Sequence, residues 1–302
     1  MIDILKEEIK FLDKCSKIEL INKGLSYANV FKLYQDDKEY ILKVYKDNNI
    51  DRKSITDKYI ETNQPIPKVI EYGKTENFGY YVIMEYLANG TLEEGYDNLS
   101  EEEVFNKAKI LGEKHKILIE KYSPVDHDFF TQFKNTEFQK YNQTVELIEK
   151  YKERLPNIDV VKIENDMERL IKYFKDDKPL YMHWDLKADN IMISDELLMI
   201  DYEGGSLLYL PIALRCEVYH IINNDAKAKK SKIFIEGIIS GIDEKLLEDK
   251  NLNKKLAYAY LKSAFVYIVG YLLKNNRIEE AREQIKKINN AYSRSEKIED
   301  LL

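Results

Sequence analysis

Cysteine is nearly absent: Cys15 and Cys216 are the two thiols among 302 residues. Two isolated thiols build neither a disulfide framework nor a zinc site, and a reducing, cytoplasmic setting is expected. Long apolar runs are also lacking. The longest, Ala264 to Leu273, has ten residues, which is too short to span a bilayer and suits a buried helix. The first residues, MIDILKEEIKFLDK, carry a charge every few positions and have no signal-peptide core. There is no basic excess. Against 54 Asp+Glu stand 47 Lys+Arg, a net charge of −7, the reverse of a nucleic-acid-binding footprint. Histidine is scarce, and His115, His127 and His220 show no ligand spacing toward His183, which argues against a metal hydrolase. No repeat, low-complexity tract or Pro/Gly/Ser-rich linker interrupts the chain.

What is present is enough apolar surface for a real core, at 44% of residues. A length of 302 residues exceeds the ~100–200 of one ordinary domain, so two domains are expected. The texture agrees. After an amphipathic helix over the first 15 residues come short Ile-, Val-, Tyr- and Phe-rich runs at 17–23, 28–35 and 39–46, which read as a strand meander. A helix over 51–62 ends at Pro65 and Pro67. Strands follow near 68–73 and 79–86. Beyond Asn89-Gly90 the pattern turns helical, at 101–121, 137–154, 159–175, 206–224, 228–240, 252–274 and 278–298. Ser100 with Glu103 fits a capping box at the start of the first. One β-like stretch, 180–203, interrupts the helices. The expected division is a β-rich domain over 1–87 and a helical one over 88–302.

The chemistry concentrates in that interruption. His183-Trp184-Asp185-Leu186-Lys187-Ala188-Asp189-Asn190 is followed by Ile200-Asp201-Tyr202-Glu203. Asp185, Asn190 and Asp201 are hard oxygen donors around a predicted hairpin. Such donors suit Mg²⁺ completed by phosphate and water, and a carboxylate left free of metal can orient a hydroxyl and take its proton. Each residue alone could be an ordinary turn residue; the joint pattern H-x-D-x-x-x-x-N plus a second Asp after an apolar strand carries the reading. Upstream, Gly24-Leu25-Ser26-Tyr27 lies between two predicted strands. Lys43 sits inside the apolar strand Tyr40–Tyr45, where a lysine needs an anionic partner. Val82–Leu87 closes the β-rich part.

Order and spacing of these five segments resemble the protein-kinase-like superfamily, in the aminoglycoside phosphotransferase and choline kinase branch. Ile-Asp-Tyr-Glu is similar to the I-D-[FWY]-[GE] form of small-molecule kinases and differs from D-F-G. No A-P-E follows. Lys43 and Asp185 are 142 positions apart (185 − 43), room for the extra helices of that branch. Leu111–His115 looks like its L-x-x-L-H helix end. The resemblance covers most of 15–225. It implies an α+β, two-lobed protein-kinase-like fold, with a small antiparallel β-rich N-lobe and a large, mainly helical C-lobe. It implies ATP (or GTP) with Mg²⁺, and transfer of the γ-phosphate to a hydroxyl.

Carried over by residue, the resemblance makes Asp185 the catalytic base and Asn190 and Asp201 the metal ligands. Lys43 and Ser26 would bind phosphates, and backbone groups of Glu85 and Leu87 the adenine edge. His183 would brace the loop and Lys187 touch the transferred phosphate. Glu203 would assist a metal or approach the substrate. The family places an acid on the 51–62 helix to pair with the strand lysine. Lys53 falls near that position here, and Asp57, one turn on, is the substitute. The acceptor would be a small, amino-bearing, cationic molecule of the aminoglycoside kind. Trp184, Tyr202, Glu203 and Glu217 are the side chains named for it. A choline, amino-alcohol or sugar kinase and a non-catalytic, spore-coat-type scaffold are the alternatives.

Overall fold

A computed structural model describes residues 1–21, 28–46, 50–123 and 128–302. Within it the chain forms two compact units. One comprises Met1–Leu92 with Asn190–Gly205, and the other Glu93–Asp189 with Ser206–Leu302. Where the sequence divides at residue 87, the hairpin after Asp189 thus groups with the β-rich part.

The first unit is built on five antiparallel strands: β1 (Lys17–Leu20), β2 (Ala28–Gln35), β3 (Lys38–Tyr45), β4 (Val69–Thr75) and β5 (Gly79–Glu85), in the order β1-β2-β3-β5-β4. Alternation sorts the side chains. Phe31 and Leu33 of β2, Leu42 and Val44 of β3, and Tyr81 and Ile83 of β5 form one core with Leu5, Ile9 and Leu12 of the N-terminal segment. That segment is a short α1 (Ile2–Glu8) tightening into a 3₁₀ turn at Lys10–Lys14. Lys43 and Tyr45, one residue out of phase with Leu42 and Val44, therefore face away from this core. Helix α2 (Arg52–Glu61) starts at Asp51, whose carboxylate accepts from the Ser54 N–H at 3.2 Å.

The second unit is mainly helical. Its helices are α3 (Leu92–Gly95, at the boundary), α4 (Glu101–Tyr122), α5 (Phe129–Lys150), α6 (Val160–Ile171), α7 (Leu210–Ala213), α8 (Arg215–Asn223), α9 (Ala228–Asp243), α10 (Leu252–Leu261), α11 (Gly270–Lys274) and α12 (Ile278–Arg294). Residues Lys262–Val269 join α10 to α11 as a π-helical stretch. Together they make one 23-residue helix, apolar enough to cross a membrane by length, but largely buried inside the protein. The capping box at Ser100 and Glu103 is formed in both directions. Helices α4 and α9 meet backbone to backbone: a Cβ on Gly241 would lie 2.1 Å from the Lys109 carbonyl.

Strand β6 (Leu180–Met182) pairs with β9 (Ser206–Leu208). This corrects the helix expected over 206–224. Leu207 and Leu208 extend the small sheet, and Pro211 at the first turn lets helix begin only at Leu210. The helix expected from 137 begins earlier, at Phe129, because Phe129 and Phe133 pack edge-on against Tyr209. The antiparallel sheet and the helical remainder are the α+β, protein-kinase-like fold the motifs imply.

Candidate functional site

In the sheet-bearing unit, a tight hairpin of β7 (Ile191–Ile193) and β8 (Leu197–Met199) sets the oxygen donors. The Ile200 N–H donates to the Asn190 carbonyl at 2.9 Å, so Asn190 enters the hairpin beside the point where Asp201 leaves it. Asp201 is left-handed, φ 58° and ψ 23°, a conformation that aspartate and asparagine adopt more readily than other side-chain-bearing residues. Its carboxylate forms an ion pair and hydrogen bond with Lys43. Glu203, fully buried, lies 3.6 Å from the same ammonium. Burial pulls the Lys43 pKa down, but Asp201 and Glu203 outweigh it and leave it above the ordinary lysine value. Burial likewise raises the carboxyl of Glu203, against the opposing pull of Lys43.

Asp57 does not take the place expected for it. It is bonded to Lys53 at 3.0 Å and to the Tyr72 hydroxyl at 2.6 Å, both on the outer side of α2. The second carboxylate beside Lys43 comes from Glu203, and the helix contributes a cation instead. Arg52 stacks 4.0 Å over Tyr45 and donates to the Glu203 carbonyl at 3.1 Å. Arg52 escaped notice because a basic residue at a helix start reads as surface. Its one sequence signal is its neighbour Lys53, a base near the position where the resemblance calls for an acid.

Asp201 and Asn190 carry the donor types that suit a magnesium ion. Among the described residues no three His, Cys, Asp or Glu gather into an all-protein cage. One carboxylate and one amide, completed by phosphates and water, is the donor set Mg²⁺ takes in nucleotide sites. Glu85, at the end of β5, accepts from the Lys68 N–H at 2.8 Å, and its own N–H donates to the Lys68 carbonyl at 3.0 Å. Its backbone N–H is therefore engaged. Ser26 lies outside the described residues.

In the helical unit, Asp185 sits in the loop after β6. The Asp185 N–H donates to Nδ1 of His183 at 3.1 Å, and the His183 N–H donates to Nε2 of His115 at 3.1 Å. These bonds fix the loop. Burial pushes the His115 pKa down to about 3, with His183 adding to the effect, so the ring is neutral and able to accept. Arg215 holds Asp185 at 2.8 Å and donates to the Trp184 carbonyl at 2.6 Å. Lys187 stands 3.8 Å from Asp185 and 3.3 Å from Asp189. Burial raises the Asp185 carboxyl, but Arg215 and Lys187 outweigh it and hold it below its ordinary value. A buried aspartate kept ionised is equipped to orient a hydroxyl and receive its proton.

Two acids named for an ammonium are otherwise engaged. Glu217 accepts from the Ala188 N–H at 2.7 Å and the Tyr96 hydroxyl at 3.3 Å. Glu203 is buried beside Lys43. Tyr202 is buried too, packed 5.2 Å from Tyr59. Trp184 alone of the named set is exposed, and it lines a cavity with Arg215, Glu137 and Lys262. The last three were missed. A lone charge inside an apolar helix marks two of them: Arg215 within Leu-Pro-Ile-Ala-Leu-Arg, and Lys262 within Ala-Tyr-Ala-Tyr-Leu-Lys-Ser-Ala-Phe.

Comparison with known proteins follows this geometry. The phosphotransferase enzyme family (APH) matches residues 17–207. No curated protein matches by sequence. Among solved structures, the spectinomycin phosphotransferase APH(9)-Ia in complex with ADP and spectinomycin is similar, with a TM-score of 0.62 at 13% identity over 99% of this chain and 95% of that one. An aminoglycoside phosphotransferase from Alicyclobacillus acidocaldarius gives 0.62 at 9% identity, over 98% and 96%. APH(2")-IIa with gentamicin gives 0.58 at 16% identity, over 94% of each chain.

Proposed function

The chain belongs to the phosphotransferase enzyme family, and from that premise we propose that it carries the γ-phosphate of ATP or GTP to a hydroxyl of a small molecule in the cytoplasm. Asp185 is the base that orients the acceptor hydroxyl. Lys43 receives the α- and β-phosphates, with Ser26 as a further phosphate ligand. Asn190 and Asp201 would hold Mg²⁺, and the ion would supply neutralisation of phosphate charge. The chain between Glu85 and Leu87 borders the base of the nucleotide. Lys187, beside Asp185, meets the transferred phosphoryl group. Such a transfer has a loose transition state, so alignment and charge neutralisation are what these side chains supply.

The observation that carries this reading is the Asp185 carboxylate, buried and held ionised by Arg215. A buried carboxylate kept ionised, in a loop whose residues resemble a catalytic one, is a candidate for chemistry. Lys43 beside Asp201 supports the nucleotide half of the reading. The relatives solved with spectinomycin and gentamicin favour an amino-bearing acceptor. The charges in the helical unit favour a different one, argued below.

The test is nucleotide consumption with Mg-ATP over a panel of hydroxylated acceptors. Asp185→Ala abolishes transfer and keeps nucleotide binding. Asp201→Ala abolishes transfer and weakens nucleotide binding as well. Turnover by both variants at the wild-type rate would end the assignment.

A further inference from the structure

Wholly within the helical unit lies a cavity of about 280 Å³, which reaches Asp185 through two of its lining residues, Trp184, next to it in sequence, and Arg215, its ion-pair partner. Phe129, Phe133, Glu137, Arg215, Lys262 and Tyr267 line it, and Trp184 stands at its edge next to the base. Its volume is just below that of most ligand pockets, which run about 300–1,000 Å³. One sugar ring fits that scale.

Its charges are unusual for a site meant to hold ammonium groups. Two cations line it, Lys262 and Arg215, both buried. The single lining carboxylate, Glu137, already takes Lys262 at 2.7 Å. Lys140 approaches the same carboxylate from outside, at 3.9 Å. Arg215 is itself paired with Asp185 at 2.8 Å, and an entering ammonium would meet these two cations and one lining acid already engaged by Lys262. An entering anion would find the remaining N–H donors of Lys262. The second oxygen of Glu137, Oε2, is buried with no hydrogen-bond partner among the described residues, and a ligand hydroxyl can donate to it.

Local backbone geometry serves the same end. Lys262 and Tyr267 are five residues apart in the π-helical stretch, which brings positions i and i+5 together. The Lys262 ammonium lies 5.3 Å over the Tyr267 ring and 5.1 Å over Phe133. Such stretches recur at functional sites because a regular α-helix would not aim both side chains at one place. Burial pulls the Lys262 pKa down to about 8; Glu137 opposes the fall and Arg215 adds to it. The ammonium is thus undercompensated as it stands, and a bound anion would complete it.

We propose that the phosphate acceptor is a small hydroxylated compound bearing an oxyanion, a carboxylate or a phosphate, which docks on Lys262 with Arg215 behind it. This deepens the phosphotransferase reading and rests on it. It departs from the polycationic acceptors of the solved relatives. Aromatic walls hold the ring, Lys262 holds the anion, a ring hydroxyl donates to Glu137 Oε2, and the reacting hydroxyl faces Asp185.

Four matched probes test it by calorimetric titration and by ADP release with Mg-ATP: glucuronate, glucose 6-phosphate, glucose and glucosamine. One or both anionic probes bind at least tenfold tighter than glucose, and glucosamine binds weakest. Glucuronate against glucose 6-phosphate identifies which oxyanion is meant. Lys262→Gln weakens the anionic probe roughly 10- to 100-fold, the range for a charged hydrogen bond, and leaves glucose unchanged. Lys262→Gln strands the Glu137 charge and can unfold the chain. Lys262→Met with Glu137→Gln removes both charges and abolishes the preference in a folded protein, which a thermal shift with Mg-ATP verifies. Tighter binding of glucosamine, or no anionic preference in the wild type, overturns the proposal. Because the titrations need no turnover, that failure is separate from failure of the phosphotransferase reading, which would be absence of nucleotide binding and of ADP release with every acceptor.

Discussion

Among the buried lysines, Lys43 in the sheet-bearing unit and Lys262 in the helical one have different surroundings. Lys43, on a strand of the sheet, stands between Asp201 and Glu203 and is held above its ordinary pKa. Lys262, on the π-helical stretch, has Glu137 for a partner and Arg215 as a neighbour, and falls to about 8. Burial penalises both ammoniums alike. The difference is the count of nearby acids: two against one, with a competing cation in the second case. On the proposed reading, the two acids beside Lys43 suit a metal ion that shares their charge, and the second cation beside Lys262 suits an anion.

The largest effect that sharpens this comparison is on stability. Lys43→Met leaves Glu203 buried without its counter-charge. Breaking a buried pair from one side costs about 3–5 kcal/mol, and urea unfolding should record a loss of that order. Lys43→Met with Glu203→Gln should recover most of it. A loss that persists in the double variant would mean the ion pair is not the cause.

Next comes pH, where the two lysines act with opposite sign. The unfolded chain holds the Lys262 proton to about 10.5, while the folded protein releases it near 8. Between those values the unfolded state binds more protons, so stability rises with pH. The rise is on the order of 3 kcal/mol for this group. Lys43 is raised, so its contribution is present below the unfolded value and is lost as pH climbs through the folded one. The groups facing Lys262 are Glu137, Arg215 and Tyr267. Wild type against the Lys262→Met, Glu137→Gln variant, unfolded at pH 7.5 and 9.5, isolates the Lys262 share. Equal pH dependence in both proteins would refute it.

Arg52→Ala removes the stacking on Tyr45 and the bond to the Glu203 carbonyl. A loss of about 2 kcal/mol is expected, with weaker nucleotide binding as Glu203 loosens. Asp57→Ala is the smallest effect. Its pairs are on the exposed side of α2, worth less than about 1 kcal/mol, and nucleotide affinity should not change. A nucleotide defect in Asp57→Ala would restore that residue to the place the resemblance gave it.

Much of this was readable from the amino acids. Period-two alternation in 28–35 and 39–46 places Lys43 opposite Leu42 and Val44, and the capping box at Ser100 fixes a helix start. The tight spacing of Asp185, Asn190 and Asp201 marks the hairpin. These features are local, and local spacing is what a sequence displays. The partner of Lys43 was not readable. Glu203 lies 160 positions away (203 − 43), and nothing local distinguishes it from Asp57. The strand at 206–208 was hidden for the same reason: three residues have too little pattern to declare themselves, and their pairing partner is Leu180–Met182. The cavity escaped because its charges come from helices at 137, 215 and 262, each seen singly as a charge on an apolar face.

The most direct measurement of the central claim is ³¹P NMR of the protein incubated with Mg-ATP and each oxyanion-bearing or amino-bearing acceptor, beside Asp185→Ala. The account predicts ADP and a new phosphomonoester signal with an oxyanion-bearing acceptor, in the wild type and not in the variant. A phosphomonoester formed equally by both proteins would contradict it.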